Sequence, residues 1–167
     1  MHPAATGRAR RKRAQVETFA LLLKQLVAPD VGGGGGGGLA VVDMGAGAGN
    51  LSLPLAAAFP QHAFTAVEMK GVSAALLEQR AAAAGLRNCR AHVGMIETYT
   101  APFDVCLALH ACGNASDLAL DLAVRRRAAF IVAPCCVGKI KARPHTREAV
   151  ESSTIITVPP PYFGFGI

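Results

Sequence analysis

The chain has 167 residues, 51% hydrophobic and 17% charged, enough to close one domain and too few for two full-sized ones. This composition excludes disorder throughout, and without an apolar run of about 18 residues a membrane span is not expected. Seventeen Lys plus Arg against eleven Asp plus Glu give a net charge of +6, gathered in Arg8–Arg13, Arg125–Arg127 and the looser group Lys139, Lys141, Arg143 and Arg147. Such clusters suit a polyanionic partner, or equally a solvated arm and helix ends that complement the macrodipole.

Residues 1–13 read as a basic, disordered arm with no apolar stretch, so a secretory signal is not expected. Its Arg-rich, acid-free composition leaves organelle targeting open beside an intracellular, cytoplasmic or nuclear location. Val16, Phe19, Leu23 and Leu26 then recur at helical spacing, predicting an amphipathic helix of about 14 residues closed by Pro29 and Asp30. Gly32–Gly38, seven glycines in a row, read as a flexible linker inside a domain spanning 14–147.

From Leu39 the pattern alternates. Strands are predicted at Leu39–Asp43, Ala63–Glu68, Arg90–Val93, Phe103–Leu109 and Ala128–Pro134, the last buried on both faces. Helices are predicted at Asn50–Phe59, Val72–Ala84 (stopped by Gly85) and Asn114–Val124, with Asn114 as the cap. Right-handed crossovers give a doubly wound α/β sheet of order 3-2-1-4-5. After Arg147 no helix and hairpin complete the sheet, so 148–167 reads as an atypical tail and the C-terminal edge as incomplete.

The strongest local signal is Val41-Val42-Asp43-Met44-Gly45-Ala46-Gly47-Ala48-Gly49-Asn50, a glycine turn between strand and helix. Its G-x-G-x-G spacing is not the G-x-G-x-x-G of dinucleotide enzymes. Glu68, 19 positions after Gly49, closes the second strand, where a carboxylate can hold both hydroxyls of a ribose. The fourth and fifth strands end in His110-Ala111-Cys112-Gly113 and Pro134-Cys135-Cys136, so His110, Cys112 and Cys135 are expected at the same carboxyl-end crevice. The five cysteines show no C-x-x-C pair; reduced thiols are expected and no metal.

These segments carry a resemblance. The glycine turn with its acid resembles motifs I and II of class I S-adenosylmethionine-dependent methyltransferases, and the fold becomes a Rossmann-like methyltransferase sheet. Arg11-Lys12-Arg13-Ala14-Gln15-Val16-Glu17, Leu109–Asp117 and Ala133–Ile140 resemble the methyltransferase module of glutathione S-transferase C-terminal-domain-containing proteins. More distantly they are similar to tRNA ribose methyltransferases of the acceptor stem. The resemblance implies S-adenosyl-L-methionine as cofactor. Asp43, Gly45, Ala46, Gly47 and Asn50 would cradle its methionine and ribose parts, and Glu68 would hold the hydroxyls. Met95 and Ile96 would border the adenine, with Met69 and Leu109 completing the set. Where many family members have an Asp that binds the adenine amino group, this chain has Met95, which offers only packing.

The expected activity is methyl transfer to RNA, with tRNA favoured. His110 would accept a proton, or Cys135 would attack carbon six of a pyrimidine. Arg10, Arg11, Lys12, Arg13, Lys139 and Lys141 would contact the nucleic acid, whereas Arg125–Arg127 should lie at the opposite, amino end of the sheet. Two alternatives stand beside it: a degenerate cofactor-binding module, and a zinc nucleobase deaminase, which the Cys135-Cys136 spacing fits poorly.

Overall fold

A computed structural model describes residues 7–27, 37–111 and 113–134. Five strands form one parallel sheet: β1 Ala40–Met44, β2 Ala63–Glu68, β3 Cys89–Val93, β4 Val105–Leu109 and β5 Ala129–Ala133. Their order is β3-β2-β1-β4-β5, so β1 and β4 are neighbours that send their following helices to opposite faces. This is the expected doubly wound, Rossmann-like sheet.

The helices are α1 Gly7–Leu26, α2 Ser52–Ala58, α3 Gly71–Ala83 and α4 Ala115–Arg126, with a single 3-10 turn at Ile96–Thr98. Strand alternation divides β1 between two cores. Val41 joins Phe64, Leu77 and Leu107 under α1, α2 and α3, while Val42 and Met44 join Val67, Cys106 and Ala108 under α4. Pro54 stands in the first turn of α2, where a missing N–H costs no helical bond. Gly85, at φ +67°, ends α3, with Leu86 N–H donating back to the Ala81 carbonyl.

Three expectations are corrected. The basic run is not a disordered arm over residues 7–13: α1 begins at Gly7 and runs through it. Ala, Arg and Lys are good helix formers, and Arg13 pairs with Glu17 one turn on, so the charge that suggested an arm is carried on a helix. Asn114 does not cap α4 with its side chain; its backbone is already helical (φ −75°, ψ −4°), whereas a capping side chain needs extended geometry. Finally, β5 is not buried on both faces. It is the outer strand of the described sheet, and Phe130 stands 42% exposed. Pro29, Asp30 and the tail after Pro134 lie outside the described residues.

The amino-end edge is closely tied. The Asp104 carboxylate accepts from Ala40 N–H at 2.7 Å, and His62 Nδ1 accepts from Leu39 N–H at 3.0 Å. Asn88 donates to the carbonyls of Ala56, Phe59 and His62, stapling α2 to the start of β3. Arg126 reaches the Thr100 carbonyl, and Ala129 N–H donates to Asp104, which puts Arg125–Arg127 at this end as the strand polarity predicts.

Candidate active site at the carboxyl ends of the strands

Between β1 and α2 the chain turns through Gly45, Gly47 and Gly49 at φ +78°, +57° and +79°. A side chain at these angles is strained, so the composition of the turn is set by its shape. The three differ in surroundings. A Cβ on Gly49 would lie 2.8 Å from Leu77 and 2.9 Å from Leu53, whereas one on Gly47 would meet nothing within 4 Å. Gly49 lies against the core and Gly47 faces open space.

The amides of the turn point inward. Gly45 and Ala46 N–H both donate to the Val67 carbonyl, at 2.9 and 3.0 Å, and Gly49 N–H donates to Ala46. Gly47 N–H donates to Glu68 Oε2 at 2.9 Å. A phosphate cradle needs such donors aimed at the ligand. Here they are used within the fold, so the turn offers shape and open space instead of an anion nest.

Glu68 is 8% exposed and serves as the hinge of this corner. Its second oxygen, Oε1, accepts from Lys70 N–H at 2.9 Å, so each oxygen holds one backbone donor and keeps one further lone pair. Asp43 is 2% exposed and lies beneath the turn, where its Oδ2 accepts from Ser52 Oγ at 2.5 Å. Burial pushes its carboxyl up to about 6. The Ser52 hydrogen bonds oppose that rise and the Glu68 charge adds to it. Asn50, expected toward the ligand, turns its Oδ1 to Arg80, 3.2 Å away on α3; the same guanidinium donates to the Ala48 carbonyl at 2.5 Å. Arg80 thus clamps the turn from outside, a role that no spacing in the sequence signals.

By register the end of β3 meets this corner, since Glu68 pairs with Val93 and Gly94 N–H donates to the Glu68 carbonyl. Met69 and Met95 stand 67% and 53% exposed there, and Ile96 is buried beneath the rim. Two large exposed thioethers flanking a carboxylate form an apolar rim that can take a flat ring.

Across the switch point Leu109, half-buried, ends β4, and His110 follows at φ +60°. Few non-glycine residues adopt that angle. It turns the exposed His110 side chain out of the strand line and onto α1, where Nε2 lies 2.9 Å from Gln15 Oε1. Gln15 belongs to the stripe Gln15–Phe19–Leu23, the last two of which are buried. A polar residue on an apolar stripe was the available signal for this contact.

On the first two turns of α1, Arg10, Arg11, Lys12 and Arg13 are exposed. Lys12 and Arg13, with Val16, Glu17, Asn50 and Pro54, line a shallow groove between α1 and the glycine turn. Cys112, Cys135, Lys139 and Lys141 lie outside the described residues. Of the thiols that are described, Cys89 and Cys106 are free and buried; burial first, then the Asp43 charge, pushes them up to about 11 and about 12. They are core residues, not nucleophiles. No three His, Cys, Asp or Glu gather to hold a metal among the described residues, and no described helix is long and apolar enough to cross a membrane.

Comparison with known proteins gives this geometry a family. The model of a methyltransferase domain matches residues 11–143. A glutathione S-transferase C-terminal domain-containing protein homolog of Drosophila pseudoobscura pseudoobscura is 34% identical over 138 residues, covering 83% of this chain and 22% of that protein. The Mus musculus protein of the same description is 32% identical over 137 residues, covering 82% and 20%. The chain therefore spans about a fifth of the length of these relatives. Among solved structures, coclaurine N-methyltransferase superposes with a TM-score of 0.54 at 18% identity, covering 74% of this chain and 35% of that one. The YcgJ protein of Bacillus subtilis gives 0.53 at 22%, covering 68% and 48%. At these identities the structural likeness is one of fold.

Proposed function

The chain belongs to the methyltransferase-domain family, and from that premise we propose that it transfers the methyl group of S-adenosylmethionine to an RNA, with tRNA as the favoured substrate. The observation that carries the reading is the pairing of an open glycine turn with Glu68 on one side of the switch point and His110 on the other. S-adenosylmethionine supplies an activated methyl on a positively charged sulfur. Open space over Gly47 admits its methionine and ribose parts, and the two free lone pairs of Glu68 suit a ribose diol. Met69 and Met95 pack the adenine ring. Asp43 and Arg80 hold the turn from below and from outside, and the Asp43 charge favours a cationic ligand above it.

Methyl transfer needs chiefly an aligned nucleophile. The acceptor oxygen or nitrogen of the RNA bonds to the methyl carbon as the carbon–sulfur bond breaks, and sulfur keeps the electron pair. The acceptor proton passes to the His110 imidazole, whose exposed position at the end of β4 lets it reach the acceptor. Lys12 and Arg13, in the groove beside the glycine turn, with Arg10 and Arg11 exposed on the same helix, neutralise RNA phosphates.

Calorimetry with S-adenosylmethionine and its demethylated product, followed by tritium transfer to bulk tRNA, tests both halves. Binding that Glu68→Ala weakens at least about tenfold is expected, the loss of hydrogen bonds to two hydroxyls. A chain that binds neither ligand would overturn the reading. Binding without transfer to any RNA would reduce it to a cofactor-binding module. Replacing Arg10, Arg11, Lys12 and Arg13 by Gln should weaken RNA binding and flatten its salt dependence by up to about one unit per lost phosphate contact, and replacing Arg125–Arg127 should do much less.

A further inference from the structure

His110 and Gln15 are 95 positions apart and meet at 2.9 Å. The contact is anchored on both sides. His110 leaves β4 in the left-handed region with its N–H donating to the Ala133 carbonyl at 3.3 Å, so the backbone fixes where the ring emerges. Gln15 sits one turn before Phe19 and two before Leu23, which are buried against the core and hold this face of α1 over the sheet. The position continues an apolar stripe, where packing alone would favour Leu or Met. An amide there satisfies no other described group.

We propose that Gln15 is a positioning residue for His110: its Oε1 accepts from Nε2–H, so the ring is held in the tautomer whose Nδ1 lone pair is free to take the proton of the methyl acceptor. A neutral imidazole carries one proton, and the partner of one nitrogen decides which nitrogen is left as the base. The helix that bears the RNA-facing cations thereby also sets the protonation pattern of the base at the mouth. This inference rests on the reading of His110 as that base.

The test is a nitrogen-15 spectrum of the histidine-labelled chain at pH 8.5, with the His110 signals assigned by their loss in His110→Ala. The expected wild-type pattern is a protonated, pyrrole-type Nε2 and a bare, pyridine-type Nδ1. Gln15→Leu, which extends the apolar stripe and preserves the fold, should move both signals toward the mixed values of free histidine. Gln15→Glu keeps an acceptor and should retain the wild-type pattern. In the tRNA transfer assay Gln15→Leu should lower kcat by at least about tenfold, a fraction of what a general base contributes, and leave the affinity for S-adenosylmethionine within about twofold. A wild-type spectrum with the proton on Nδ1, or a Gln15→Leu spectrum identical to wild type, would overturn the proposal. If the tautomer shifts as expected while His110→Ala still methylates at the wild-type rate, the contact stands and the base assignment falls.

Discussion

Replacing Asp43 by Asn tests whether the glycine turn rests on a buried charge. The carboxyl is buried to 2% exposure and raised to about 6 from 3.8, so the folded chain holds a proton that the unfolded chain releases between those values. The sign follows from linkage. A raised carboxyl favours folding fully below about pH 3.8, and that contribution is lost as pH rises through about 6. The two values differ by roughly two units at about 1.4 kcal/mol each, so, relative to a group that does not titrate, the raised Asp43 carboxyl costs the fold about 3 kcal/mol at pH 8 and about 1 kcal/mol at pH 4.5. Asn has the same shape and still accepts the Ser52 hydroxyl, but it carries no charge and its amide needs an acceptor, an offset of about 1–3 kcal/mol if none is found. That offset does not depend on pH, so the difference between variant and wild type is the sharper quantity. Urea unfolding at pH 4.5, 6 and 8 should show the stability of Asp43→Asn rising relative to wild type by about 2 kcal/mol from the lowest pH to the highest. Parallel curves for the two proteins would refute the buried-charge argument. At pH 8 the same variant should bind S-adenosylmethionine more weakly than wild type, because the anion beneath the turn is gone.

Two glycine variants should separate folding from binding. Gly47→Val meets no protein atom at its Cβ and bears only the strain of its left-handed backbone, about 1–2 kcal/mol, so it should remain folded by circular dichroism while calorimetry finds no cofactor binding. Gly49→Ala drives a methyl against Leu53 and Leu77 in addition to that strain, and should lower the urea midpoint more than Gly47→Ala does. Arg127 closes α4 at φ +54°, the position where helices favour glycine, so Arg127→Gly should stabilise the domain by about 0.5–1 kcal/mol without altering cofactor affinity; a loss of stability would show that the Arg side chain contributes more than its backbone strain costs.

Much of the fold was legible because strand and helix periods alternate cleanly from residue 40 onward, and the handedness of crossovers leaves few orders for five parallel strands. The glycine turn and Glu68 were legible as a pair of signals, and the structure brings them into contact through the Gly47 N–H. What escaped was set by tertiary contact. The basic run looked like an arm because charge density says nothing of helix docking, and the residues that tie that helix to the core, chiefly the buried Phe19 and Leu23 with Val16 and Ala20 beside them, lie beyond it. Asp43 and Asn50 looked ligand-facing because acids and amides near glycines usually are exposed; Ser52 and Arg80 turn them toward the protein instead. Gln15 had a weak signature, a polar residue on an apolar stripe, but its partner lies 95 positions away.

Strain is distributed unevenly along the sheet, in a way that supports the proposed site independently of any motif. At the amino ends of the strands, Asp104, His62 and Asn88 each find ordinary backbone partners, and the left-handed residues there, Gly85 and Arg127, both occupy helix ends where that geometry is common. At the carboxyl ends of β1 and β4, three glycines and His110 are left-handed, and the Asp43 carboxyl is buried so that its charged form is disfavoured. A domain selected for stability alone would shed these costs, since a neutral residue at Asp43 and a glycine at His110 are each one substitution away. Both costs fall on the two strands flanking the switch point, Asp43 beneath the glycine turn and His110 at the end of β4, which supports the site proposed between β1 and β4. In the proposed function a cofactor bound over the first and a base held over the second would account for both.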